Sequence, residues 1–250
     1  MSDEPASPTP VFWAKAWPDA LAFGGGLALA WFGGWQTKDL VWSLWLSSLL
    51  VGYAMIVWMI FSPALFIATS AWRDRALVGS QAVAPAAVGG AILVVGGLFL
   101  LAFFTVHFGM FHYVHSVFLN GFFPMLPGKH HEPGLALYGA VLAAYWPFVL
   151  VAAVAERQAF RWPGSAAPAS EDTAVTPGAI AARKARNAMQ GGMSGMMTPY
   201  KNVVRLHLLI FFFAFAHFAK LDSFLVYVVV YAVYFFPWRL AFPGKTAAAA

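Results

Sequence analysis

Cysteine is absent from the 250-residue chain. Its absence excludes disulfide bonds, thiolate metal sites, c-type haem attachment and cysteine catalysis. Charged residues are also scarce: they make up 10% of the chain, where about 25% is usual for a soluble domain. Because so few charges cannot cover a water-facing surface, the composition indicates a protein embedded in a lipid bilayer.

Hydrophobic residues account for 61% of the chain and form blocks of about 20 residues or more, the length that crosses about 30 Å of hydrocarbon. The net charge of +5 does not indicate a nucleic-acid partner, because the basic residues flank these blocks and bear on topology instead. The acidic, proline-rich start MSDEPASPTP lacks the basic start and apolar core of a signal peptide. We therefore expect the first block to be retained as an anchor.

The blocks predict an all-α fold, a polytopic transmembrane helix bundle of six spans with a long or kinked third span. The predicted spans are 19–35, 40–71, 85–125, 134–155, 202–218 and 223–240. The predicted organisation is a disordered cytoplasmic tail over 1–17, spans one to four within 18–155, a cytoplasmic linker over 156–200, spans five and six within 201–242, and a tail over 243–250. The linker is predicted to contain a short basic interfacial helix over 179–197.

The third block is too long for a simple span, since one helix over it would be about 60 Å long. No polar turn interrupts residues 86–106. We therefore expect one long helix, broken or kinked near Gly96 and Gly97 or at Gly109, rather than two spans.

Basic residues distribute very unequally across the six-span arrangement. Only Lys38, Lys129 and Lys220 fall on one side, and the other 12 of the 15 lysines and arginines fall on the side of both termini. The positive-inside rule then predicts that both termini are cytoplasmic. A seven-span arrangement, which splits the third block, would mix the charges on both faces.

Histidines are the polar residues of interest within the apolar blocks. His107, His112 and His115 lie in the third predicted span, and His207 and His217 lie in the fifth. The predicted outer turns contain His130, His131 and Asp222. At 1.5 Å per residue, every histidine falls at the membrane midplane or towards the outer face. His112 and His115 share a helix face, whereas His107 joins them only if the helix bends at Gly109.

Two interpretations of these histidines stay open. Imidazole suits Cu, Zn and Fe, so a metal or b-type haem site between the third and fifth spans is one hypothesis. The alternative is that the histidines make polar contacts between helices, with Ser116, Asn120, Tyr113 and Asp222 as partners. A proton or substrate path is a third, weaker hypothesis.

Other sequence patterns are weaker indications of function. The methionines of MQGGMSGMM are soft ligands suited to Cu(I), but they fit the apolar face of an interfacial helix better. P-loop, GxSxG and HExxH motifs are absent from the sequence. No acidic residue lies well inside a predicted span, which disfavours ion-coupled transport.

The pattern FF-x2-H-F-G-x-F-x3-H, from Phe103 to His115, resembles an uncharacterised, domain-of-unknown-function family of bacterial multi-pass membrane proteins. Trp42, Trp45 and Gly52 in the second block, and Tyr200 and His207 near the fifth, are similar to this family too. The resemblance implies the fold and a location in the bacterial inner membrane. It carries over His107, His115 and His207 as family positions, and it brings no activity.

Two functions remain open at this point. The first is metal or haem binding through the intramembrane histidines, in a redox or metal-handling role. The alternative is a non-catalytic membrane subunit or scaffold whose small-residue faces pack against a second copy or another membrane protein. Neither possibility predicts a particular reaction.

Overall fold

The computed structural model describes residues 10–78, 83–126, 133–162, 197–219 and 223–236. Six α-helices and one short 3-10 helix, with no strand, form this part of the chain. In chain order they are α1 Pro10–Phe32, α2 Thr37–Val78, α3 Val83–Phe122, α4 Leu135–Ala155, the 3-10 helix Arg157–Phe160, α5 Met197–Phe218 and α6 Phe224–Phe235. The predicted all-α fold is confirmed.

Among the residues that the structure describes, three helical stretches are long and apolar enough to cross a membrane: Thr37–Ser70, Val88–Phe122 and Leu135–Ala155. The other helices offer less apolar length. Within α1, Lys15 and Asp19 precede the apolar part, and α5 begins with Lys201 and Arg205 in its first three turns. Helix α6 has 12 residues.

The two longest helices are each continuous. Helix α2 has 42 residues with Pro63 inside it, and α3 has 40 residues. The preference for one long helix over two separate spans is therefore confirmed for the third block. Gly96, Gly97 and Gly109 all lie within helical backbone.

Several helix boundaries differ from prediction. Helix α2 ends at Val78, seven residues beyond the predicted span, and α6 ends at Phe235, five residues before its predicted end. Helix α1 begins at Pro10, so residues 10–17 of the predicted disordered tail are helical. Proline at the first helical position is favourable because its missing N–H needs no partner there. Helix α5 begins at Met197, five residues before the predicted span. The predicted linker, apart from its first seven and last four residues, lies outside the described part of the chain.

Contacts divide the chain into two compact units. The first comprises Met1–Ser47, Leu119–Glu156 and Leu209–Ala250, and the second comprises Ser48–Phe118 and Arg157–Leu208. In the first unit, α1 packs against α4 and α6. Phe23 of α1 stacks on Tyr231 of α6 with ring centroids 5.3 Å apart.

Gly26 allows α1 to approach its neighbours closely. A Cβ at this position would lie 2.8 Å from Cζ of Tyr231 and 3.2 Å from Cε2 of Phe148. Both distances are shorter than ordinary van der Waals contacts. The glycine is therefore needed for the close contact of α1 with α4 and α6.

Gly26→Val is expected to lower the free energy of unfolding by about 1–3 kcal/mol, because the added atoms overpack this contact. Gly24→Val is the matched control, since a Cβ at Gly24 meets nothing within 4 Å. The measurement is denaturant unfolding of the two variants in the same detergent. Equal stability of the two variants would show that α1 does not pack as described.

In the second unit, α2 and α3 pack side by side around Ile56, Phe104 and Phe108. Two glycines permit this contact. A Cβ at Gly52 of α2 would lie 2.7 Å from Cζ of Phe108, and one at Gly97 of α3 would lie 2.7 Å from Cγ2 of Ile60. The two helices therefore form an antiparallel pair in which residues near 60 oppose residues near 97.

Candidate functional site

The buried face of α3 in the second unit carries polar side chains. His112 and His115 are 1% and 4% exposed, and Ser116 is fully buried. They follow Phe104 and Phe108 at intervals of three and four residues, the spacing that keeps side chains on one helix face. The face that packs against α2 thus changes from aromatic to polar along the helix.

Both ring nitrogens of His112 lie within hydrogen-bond distance of a partner. Nδ1 is 3.0 Å from the carbonyl oxygen of Phe108, and Nε2 is 3.2 Å from Oγ of Ser48 on α2. A carbonyl oxygen only accepts, so in the neutral ring Nδ1–H donates to Phe108. Nε2 then accepts a hydrogen bond from the Ser48 hydroxyl. His112 therefore links α2 to α3 and has no free lone pair while these bonds hold.

A second contact between the same helices lies nearby. The hydroxyl groups of Tyr53 on α2 and Thr105 on α3 form a hydrogen bond. Thr105 also donates to the carbonyl oxygen of Leu101 at 2.7 Å. The α2–α3 pair is therefore joined by two polar links, Ser48–His112 and Tyr53–Thr105, on either side of buried Phe108.

His115 lies beside His112. Their ring centroids are 6.2 Å apart with an interplanar angle of 73°, and His115 also lies 6.5 Å from the ring of Phe111. The prediction that His112 and His115 share a face agrees with this arrangement. The two imidazoles form a buried pair within the second unit.

His107 lies elsewhere on α3. Its side chain is exposed, and its ring stacks on Phe103 at 5.6 Å with an interplanar angle of 9°. Phe111 meets the other side of the ring edge-on at 5.0 Å. His107 is therefore on the exposed face of α3, whereas His112 and His115 are on its buried face.

For the other predicted site residues, the structure does not describe the side chains. His207 and His217 belong to α5, but their side chains are outside the described part of the structure, as are residues His130, His131 and Asp222. Among the side chains that the structure describes, no three His, Asp or Glu groups lie close enough together to hold a metal ion. The metal site stays a prediction.

A polar cluster in the first unit escaped the sequence analysis. The hydroxyl of Tyr145 on α4 donates to Oδ1 of Asp39 at 2.7 Å, and Oδ2 of Asp39 accepts from the backbone N–H of Gln36 at 2.8 Å. Asp39 thereby caps the start of α2 and also binds α4. The signal for this cap is an acidic residue in the first turn of a helix, a position that favours Asp and Glu.

The turn before this cluster depends on Gly34. Its φ of 60° is in the left-handed region, which glycine adopts without a Cβ clash. The N–H of Trp35 then donates to the carbonyl oxygen of Ala30 at 2.9 Å. Trp35 is thereby directed onto Tyr145, whose ring it meets edge-on at 5.4 Å.

Tyr145→Phe is expected to lower the free energy of unfolding by about 1.5–3 kcal/mol, the usual worth of a hydrogen bond to a charged group. Tyr113→Phe is the control, because Tyr113 is exposed on α3. Unfolding curves of both variants in one detergent provide the measurement. A loss no larger than that of Tyr113→Phe would contradict a stabilising bond to Asp39.

A family model described as a family of unknown function (DUF6498) matches residues 25–235. No curated protein matches the chain, and no solved structure matches it. The family match covers the helices that form the buried histidine pair and the Asp39 cluster.

Proposed function

The chain belongs to this family of unknown function, and we propose that it is a non-catalytic membrane subunit whose buried histidines join neighbouring helices. The contacts of His112 carry this proposal. Its two nitrogens bond to Phe108 within α3 and to Ser48 on α2. Interhelical hydrogen bonds of this kind replace contacts with water that a membrane interior does not offer.

The proposal includes a six-span arrangement in the bacterial inner membrane, with both termini in the cytoplasm. The three membrane-length helices and the unequal distribution of lysine and arginine support it. Because the chain has no cysteine, a single introduced cysteine reports the side on which it lies. Lys38→Cys is expected to react with an impermeant maleimide from the periplasm, and Arg161→Cys only after the membrane is opened.

Metal or haem binding is the second candidate, and the buried His112–His115 pair favours it. Histidine is the commonest metal ligand, and His207 in the same unit would be the third donor. Cu, Zn, Fe and b-type haem are the groups to consider. Binding through Nε2 of His112 would require Ser48 to release that nitrogen.

Metal analysis and the visible absorption spectrum of the purified protein separate the two candidates. The proposed subunit is expected to contain no stoichiometric metal and to show no Soret band. The wild-type protein could instead contain a stoichiometric metal or show a Soret band. If that signal is lost in both His112→Asn and His115→Asn, metal or haem binding replaces the non-catalytic subunit as the proposed function. His107→Asn is the control, because the ring of His107 is exposed, unlike those of His112 and His115.

A further inference from the structure

Aromatic side chains hold the segment that follows α4 against α2. The ring of Trp58 on α2 lies 6.5 Å from that of Phe160 and 5.9 Å from that of Trp162. Its Nε1 also donates to the carbonyl oxygen of Arg161 at 3.3 Å. We define the aromatic cluster as Trp58, Phe160 and Trp162, all of which belong to the second unit. These contacts fix the backbone on both sides of Arg161.

The chain places this segment at a membrane interface. Helix α4 is one of the membrane-length helices and has 21 residues, or about 32 Å, close to the hydrocarbon thickness of about 30 Å. Arg157 follows the last residue of α4 after one intervening residue. Tryptophan favours the interface and arginine avoids the hydrocarbon. Residues 157–162 therefore begin where the hydrocarbon ends.

Two arginines accompany the aromatic cluster. Arg157 begins the 3-10 helix that Phe160 ends, and side chains three residues apart in such a helix lie above one another. Arg157 is half-buried, whereas the side chain of Arg161 is exposed although both of its neighbours contact Trp58. Glu156 is the one acidic residue between positions 134 and 162. Positive charge therefore prevails at this end of α4.

We propose that Arg157, Arg161 and the aromatic cluster bind the headgroup of an anionic phospholipid. Guanidinium groups pair with phosphate oxygens through two parallel hydrogen bonds. A zwitterionic lipid carries an ammonium group beside its phosphate, and the arginines repel that group. Charge thus selects an anionic headgroup, and the proposal goes beyond the helix-joining role of the histidines.

The ring of Trp162 distinguishes a lipid from a free phosphate ion. Trp162 is 41% exposed and follows the exposed Arg161 directly in the chain. An exposed guanidinium next to an exposed apolar ring matches a molecule whose charged headgroup continues into apolar chains. A tryptophan ring offers a large apolar face for such chains, whereas an inorganic ion has no use for it.

Native mass spectrometry of the full chain in detergent tests the site, with phosphatidylglycerol and phosphatidylethanolamine as probes. The wild-type protein is expected to retain phosphatidylglycerol at least about fivefold more than phosphatidylethanolamine, the usual effect of one basic residue near an anionic surface. Arg161→Gln is expected to lower the retention of phosphatidylglycerol about fivefold. Arg161→Lys keeps the charge and is expected to retain most of the lipid. Lys38→Gln is the matched control, because it removes an exposed positive charge in the first unit.

Equal retention of the two lipids by the wild-type protein overturns the proposal, and this comparison needs no variant. An equal loss in Arg161→Gln and Lys38→Gln also overturns it, because the effect would then be one of net charge. Trp162→Ala is expected to lower the retention of phosphatidylglycerol. Unchanged retention in Trp162→Ala would show that the arginines bind a phosphate group alone, and the lipid site would be wrong. Metal analysis decides the proposed function separately, whatever these retention values are.

Discussion

Trp42→Ala is expected to lower the free energy of unfolding by about 3–5 kcal/mol, the usual cost of replacing a buried aromatic side chain by alanine. Trp42 on α2 is fully buried, and its Nε1 donates to the carbonyl oxygen of Phe123 at 2.8 Å. Its ring also meets Trp45 edge-on at 5.6 Å. Alanine would leave a cavity and a buried carbonyl oxygen that has lost its donor.

Two further variants separate the effect of the cavity from the effect of the lost hydrogen bond. Trp42→Phe keeps most of the volume but removes the donor, so a loss of about 1–3 kcal/mol is expected. Trp146→Ala removes a tryptophan that is largely exposed and is expected to change stability little. Denaturant unfolding in a single detergent compares all three, and a similar loss for Trp42→Ala and Trp146→Ala would contradict the burial of Trp42.

His112→Ala is expected to lower the free energy of unfolding by about 2–5 kcal/mol, because a large buried side chain leaves a cavity in a packed interface. The change also removes the acceptor of the Ser48 hydroxyl and the ring packed 4.3 Å from that of Phe108. The measurement is again denaturant unfolding, with helix content followed by circular dichroism.

His107→Ala on the same helix is the control for His112→Ala. His107 is exposed, and substitutions at exposed positions usually change stability by about 0.5 kcal/mol or less. If His107→Ala were the more destabilising of the two, the assignment of the buried and exposed faces of α3 would be wrong.

The long apolar helices α2, α3 and α4 could be predicted because each contains about 20 or more apolar residues in succession, the length that favours a membrane-spanning helix. The absence of a polar turn over residues 86–106 correctly indicated that α3 is one helix, and the start and end of α4 were predicted to within one residue. The separation of His107 from His112 and His115 followed from their spacing, since helical geometry fixes which residues share a face.

Partners across helices could not be predicted in the same way. The proposed histidine partners Ser116, Asn120, Tyr113 and Asp222 stay a prediction, and Ser48, to which His112 bonds in the structure, was not named among them. In an almost uniformly apolar helix, periodicity does not show which face meets a neighbour, so contacts such as Ser48–His112 and Asp39–Tyr145 depend on how helices pack. The early start of α1 was missed because residues 1–17 were predicted to be a disordered tail, although Pro10 suits a first helical position.

The most direct test of the proposed role of the buried histidines is a double-mutant cycle between Ser48 and His112. The free energies of unfolding of wild type, Ser48→Ala, His112→Phe and the double variant give the coupling of the two side chains. A hydrogen bond that joins α2 to α3 predicts a favourable coupling of about 0.6 kcal/mol, the average for interhelical bonds in a membrane protein, and at most about 1.7 kcal/mol. A coupling of zero, with the two losses simply additive, would contradict the claim that His112 holds these helices together.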